Sequence, residues 1–233
     1  MFVDSSRNLY LRKVRPYVRS DLKFLSWPKS WGETLRRLPW TVAFLGLITA
    51  RQVYAEWNPQ GALLRESGTF RPGQWSWGGF LGAAVFHASW GHFLANFLGV
   101  ALVLAWVEMS LGSARAWLAG AVGFWLANPL TAWVLGFLLP GRISEADWQR
   151  YLAEADNGAS NGIYSLVGVL AGCLFSPGTL VGPFLFNGLF YALVTREWLA
   201  TQHVLALFGG LALTAVPGFL SKNQMVLQSM TKR

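Results

Sequence analysis

Apolar positions gather into six long runs, at about 38–56, 89–108, 115–139, 159–175, 179–196 and 199–220. Each is long enough for a helix that crosses the hydrocarbon of a bilayer, which takes about 20 residues. Two of the connections carry patterns of their own. The stretch 58–86 is rich in glycine and aromatic residues (FRPGQWSWGGF) but too discontinuous in hydrophobicity to span, and is expected to lie in the membrane interface, where Trp prefers to sit. The stretch 142–156 (RISEADWQRYLAEAD) has helical spacing and mixed charge, which predicts a short surface helix. There is no internal repeat, low-complexity tract or domain boundary. The expected fold class is therefore all-α: a polytopic bundle of six helices over 38–220, with an N-terminal arm at 1–37 and a tail at 221–233.

Composition agrees with a lipid-facing surface. A chain of 233 residues would suit one or two soluble domains, but 53% is hydrophobic and only 13% charged, about half the usual charged share. Thirteen Trp, sixteen Phe and a mean hydropathy of +0.36 point the same way. Charge then gives sidedness. Nine of the nineteen Lys and Arg precede the first apolar run, and a basic segment beside a span stays on the cytoplasmic side. With the N-terminus inside, thirteen positive and four acidic residues fall inside, against six and seven outside, so the net is +9 inside and −1 outside. Both termini are expected to be cytoplasmic, in the inner membrane of a prokaryote. Nucleic-acid binding is the rival explanation of the basic balance, but such chains rarely place the rest of their sequence in lipid. No short apolar core with a small-residue cleavage site is visible in the first forty residues. A single cysteine, Cys173, excludes an intrachain disulfide and a Cys-rich metal site.

Polar groups inside such runs are costly, so by default they mark function. In HASWGHFLAN, His92 and Asn96 stand four residues apart on one helical face, while His87 is rotated away and is expected to cap or brace the start of the helix. In GASNGIYSLVG, Ser160 lies at a helix start with Tyr164 one turn on. In TQHVLALFGG, His203 falls in the first turn, and Ala206 and Gly210 form a small-residue face. Ser165, Gly168 and Gly172 form another, and small faces let membrane helices approach closely, which would bring His203 to Ser160. The second, fourth and sixth runs all begin on the outer side, so these groups share one depth. A nucleophilic Ser160, a His203 base, and His92 and Asn96 as oxyanion donors make a parts list for acyl transfer. The plainer alternatives are a crowded-interface or N-cap role for Ser160 and a hydrogen-bonded bundle role for His203. No acidic or Cys ligand accompanies the histidines at a common depth, so neither a metal nor another cofactor is expected. Cys173 reads as packing, and Asn128 and Asn187 as marks of helix irregularity.

These residues resemble the rhomboid intramembrane serine proteases over the six-run core. The HxxxxHxxxN pattern matches His87, His92 and Asn96, and the GxS pattern matches Gly158, Ala159 and Ser160. Tyr164 matches the tyrosine that stacks on the catalytic imidazole, and His203, Ala206 and Gly210 match the sixth helix. EMSLGSAR at 108–115, beginning with Glu108, is similar to the inner-loop ExxxGSxR. Two positions depart. Asn161, followed by Gly162, stands where the family has Gly directly after the nucleophile, and Gly78 and Gly79 stand where it has Trp-Arg. The resemblance implies an endopeptidase with a Ser160 and His203 dyad and no cofactor. It would cut transmembrane proteins near the outer face. The departures motivate a second expectation: an inactive relative that binds transmembrane clients or serves as a subunit of a membrane complex.

Overall fold

The computed structural model describes residues 28–173, 177–194 and 197–220, all in helices, turns and loops, with no strand among them. Most of the expected basic arm, the whole of the tail and part of the connection between the fourth and fifth runs lie outside the described residues.

Among the described residues ten helices follow one another: α1 Trp31–Arg37, α2 Pro39–Trp57, α3 Gly61–Ser67, α4 Trp77–Gly82, α5 Trp90–Leu111, α6 Ser113–Leu138, α7 Glu145–Ala153, α8 Ser160–Cys173, α9 Pro177–Val194 and α10 Trp198–Leu213. Two of them, α5 and α6, are long and apolar enough to cross a membrane. By contrast α2 has 19 residues but carries Arg51, Gln52 and Glu56, while α8 and α10 are shorter. The sixth run ends as helix at Leu213, and the chain continues in turns through Gly218, at φ +81°. The 58–86 stretch is not structureless; it folds into α3 and α4, with Trp75 and Trp77 exposed.

Local chemistry sets the helix ends. Pro39 at the start of α2 has no N–H to satisfy, and the next two backbone donors, Trp40 and Thr41, give their hydrogens to Glu108 at 3.0 and 2.9 Å. The Thr41 hydroxyl adds a third bond at 2.8 Å. Glu108 is thus a buried cap tying α2 to α5, remote from any candidate chemistry. Ser89 caps α5 by accepting from the His92 N–H at 3.2 Å. The expected capping role of His87 is therefore taken by Ser89, because a hydroxyl one residue ahead of the helix meets a first-turn amide directly.

Helix α8 is the hub. Every residue from Asn161 to Ala171 is buried, which fits a helix apolar around its whole circumference. Glycines set its distances from its neighbours. A Cβ on Gly210 would lie 1.8 Å from the Ser165 carbonyl oxygen, and one on Gly168 would lie 2.0 Å from that of Leu207, so α8 and α10 touch backbone to backbone. Toward α6, a Cβ on Gly123 would lie 2.2 Å from the Asn161 carbonyl oxygen, and one on Gly162 1.7 Å from the Phe124 ring. A π-helical turn, Val122–Leu126, runs through that contact. Outward, Leu94, Leu98 and Leu102 of α5 and Trp133 and Phe137 of α6 form exposed apolar rows, far more than scattered surface hydrophobics would give.

Candidate active site

Tight contact between α8 and α10 brings their first turns together. His203 Nε2 lies 2.9 Å from Ser160 Oγ, within hydrogen-bond reach, and both residues are half-buried. The Tyr164 ring stacks on the imidazole with centroids 4.5 Å apart and planes 29° apart. Its hydroxyl donates to Asn187 Oδ1 of α9, and Phe184 packs on its edge at 5.0 Å. The imidazole is held by a ring face on one side and by the Ser160 hydroxyl at its Nε2. The Ala200 backbone, one turn back, supplies another hydrogen bond.

The loop before Ser160 is built to bring α5 close. Gly158 has φ +119°, a conformation that side chains rarely adopt, and its N–H donates to the Ala83 carbonyl. A Cβ there would lie 2.7 Å from His92 Cε1, 2.8 Å from His92 Nε2 and 3.0 Å from Asn96 Nδ2. The His92 imidazole and the Asn96 amide therefore rest directly on the Gly158 backbone, two residues from Ser160. Asn96 Nδ2 also reaches the His92 carbonyl at 3.1 Å, which fixes the amide. His87 stays one layer behind, fully buried, with its ring edge-on to His92 at 5.4 Å and to Phe93 at 5.6 Å. Burial, and then the neighbouring His92, hold His87 down at about 4, so it is neutral at physiological pH and braces the His92 ring by packing. Ala206 and Gly210 belong to the α8 contact surface and touch none of the polar groups. Glu108 also lies outside the site, as the α2 cap.

Asn161 is turned away from Ser160. Its Nδ2 donates to Asn128 Oδ1 at 2.8 Å and to Asp156 Oδ2 at 3.3 Å, and Asn128 Nδ2 donates to the same Asp156 oxygen at 2.8 Å. The reason is helical: successive side chains diverge by about 100°, so with Ser160 facing α10, Asn161 faces α6. Gly162, next along, takes the close approach to Phe124. The Asp156 backbone pairs with Phe70 in both directions, at 2.9 and 3.0 Å, and Asn157 Nδ2 reaches Thr69 Oγ1 at 3.3 Å, which pins this loop to the 58–86 stretch. Glu154 accepts from the Trp198 N–H at 3.0 Å and from the Leu199 N–H, and so caps the start of α10.

A polar cavity of about 280 Å³ lies against this loop, lined by Glu154, Asp156, Glu197, Gln202 and His203 among others. Burial raises the Asp156 carboxyl to about 6, although the Asn128 and Gln202 amides donate to it. Glu154 is likewise raised, chiefly by burial. Among the described residues no cluster of His, Cys, Asp or Glu is arranged to hold a metal ion. A second cavity, of about 170 Å³ between α2 and α6, is lined by Trp40, Phe44, Trp117 and Phe124 and is almost wholly apolar. It reaches none of these groups.

No family model, curated protein or solved structure matches the chain. The chemistry of the site is therefore read from its own geometry. Sequence reasoning passed over Asp156 and Gln202, and took Asn128 and Asn187 only as marks of helix irregularity. A usable signal existed for Asn128 and Asn187, because each is an amide within an apolar run, the pattern that singled out Asn96. Gln202 carried the same mark, as an amide within the run 199–220, and Asp156 carried none.

Proposed function

We propose that this chain is a rhomboid-like intramembrane serine endopeptidase that cleaves transmembrane proteins near the outer face of a membrane. The observation that carries this reading is the 2.9 Å approach of His203 Nε2 to Ser160 Oγ beneath the Tyr164 ring. His203 Nε2 takes the Ser160 proton as Oγ attacks the scissile carbonyl carbon. Negative charge forms on the carbonyl oxygen and is met by N–H donors of His92, Asn96 and the Ser160 backbone. Collapse of the tetrahedral intermediate breaks the C–N bond, and His203 returns the proton to the leaving amine. The acyl ester on Ser160 is then hydrolysed by a water that His203 deprotonates. The polar cavity beside His203 supports a supply of that water.

Rows of exposed leucine, tryptophan and phenylalanine along α5 and α6 support immersion in lipid. On this reading all six runs span, both termini are cytoplasmic and the membrane is the inner membrane of a prokaryote, following the charge asymmetry. A substrate helix must first unwind, because its peptide carbonyls are engaged within the helix.

The second reading is an inactive relative that binds transmembrane clients. Gly78 and Gly79 favour it, since they replace the family's Trp-Arg, and a Cβ on either would lie 2.4 or 2.6 Å from a carbonyl oxygen of Ser67 or Thr69. Asn161 does not favour it, because its amide is spent on Asn128 and Asp156. Fluorophosphonate labelling of the purified full-length chain decides between the two. Labelling that disappears in Ser160→Ala supports the peptidase. No labelling beside a positive-control rhomboid, or labelling only after Asn161→Gly, establishes the inactive relative.

A further inference from the structure

Among the described residues no acidic side chain touches the His203 imidazole, yet the residues flanking both members of the dyad converge on one carboxylate. Asn161 follows Ser160 directly and donates to Asp156 Oδ2 at 3.3 Å. Gln202 precedes His203 directly, is buried, and its side chain is also hydrogen-bonded to Asp156. From α6, Asn128 donates to the same carboxylate at 2.8 Å and uses its own oxygen to hold Asn161 at 2.8 Å. Three helices and the nucleophile loop thus meet behind the site.

A carboxylate only accepts, so it fixes how the amides around it are turned: their nitrogens face inward. Asn161 Oδ1 and Gln202 Oε1 are left buried without hydrogen-bond partners. The arrangement ties the first turn of α8, which carries Ser160, to the first turn of α10, which carries His203, through one carboxylate.

Resting on the peptidase reading, we propose that Asp156 is a positioning residue, which through Asn161 and Gln202 holds the helix turns carrying nucleophile and base in reactive register. It touches neither substrate nor reacting atoms. It also gives Asn161 a purpose at a position where the resembled family has glycine.

The test is the rate of Ser160 labelling by a fluorophosphonate, measured against probe concentration in the full-length protein reconstituted in liposomes, with Ser160→Ala as blank. An unlabelled wild type defeats the peptidase reading itself; the variants are then compared with a labelled wild type. Asp156→Ala is expected to lower the maximal rate at least about tenfold with an unchanged half-saturating concentration, and Asp156→Asn, which keeps the shape and one acceptor oxygen, to recover most of it. Should Asp156→Ala not fold, Gln202→Met removes only the amide on the His203 side and must lower the maximal rate in the same way. Wild-type rates in these variants overturn the proposal. So does a change confined to half-saturation, or a loss shared equally by Ala and Asn that follows the fall in melting temperature.

Discussion

Gly158→Ala tests the junction between the nucleophile loop and the candidate oxyanion donors. At φ +119° a non-glycine residue is strained, by on the order of 1–3 kcal/mol. The larger effect is steric. The new methyl would lie 2.7 Å from His92 Cε1 and 2.8 Å from Nε2, where ordinary contact begins near 3.4 Å, so the ring must retreat by roughly 0.7 Å. The loop cannot yield instead, because the Gly158 N–H is bonded to Ala83 and the Asp156 backbone is paired with Phe70. A misplacement of about 1 Å costs on the order of a hundredfold in rate, and loss of one oxyanion donor costs about 10²–10³. Cleavage of a single-span reporter, and acylation of Ser160, are therefore expected to slow about a hundredfold, while the protein still melts above the assay temperature. A folded Gly158→Ala with a rate within about threefold of wild type would refute the assignment of His92 and Asn96 to the oxyanion.

The other expectations concern the scaffold. Gly210→Val places its side chain against the Ser165 carbonyl, where even a Cβ would stand 1.8 Å away; it should separate α10 from α8, destabilise by about 3 kcal/mol or more and abolish labelling together with the dyad contact. Glu108→Ala removes the acceptor of two backbone amides and a hydroxyl, so stability should drop by about 2–3 kcal/mol in a thermal or denaturant titration, while folded protein keeps its wild-type labelling rate. Asp156 carries a pH signature: burial raises its carboxyl in the folded state to about 6, above its ordinary value of 3.8, so the folded state binds this proton more tightly. Its contribution to stability is therefore fully present below about pH 4 and lost as pH rises through about 6, a change of up to about 3 kcal/mol. Unfolding measured from pH 4 to 7 should be flatter in Asp156→Asn, and an unchanged slope would contradict the raised value.

Much of this protein can be read along the chain because its dominant signals are local. The apolar runs become helices, and helix ends fall where Pro39, Ser89, Gly112 and Ser144 place them. His92 and Asn96, four apart, share a face by helical geometry alone, and Gly158 stands out as the glycine ahead of a helix-start serine. Other features depended on how helices lie against one another. That Asn161 turns toward Asn128, 33 residues away, that Gln202 reaches Asp156, and that Tyr164 finds Asn187 are consequences of interhelical distances set by Gly123, Gly162, Gly168 and Gly210. The same packing put Glu108 of the inner-loop motif at the start of α2. The sequence by itself determined which segments are helical and which polar residues stand at their ends. Only the tertiary structure decided which of those groups meet, because a hydrogen bond forms only within about 3 Å, and no periodicity along one helix specifies its distance from another.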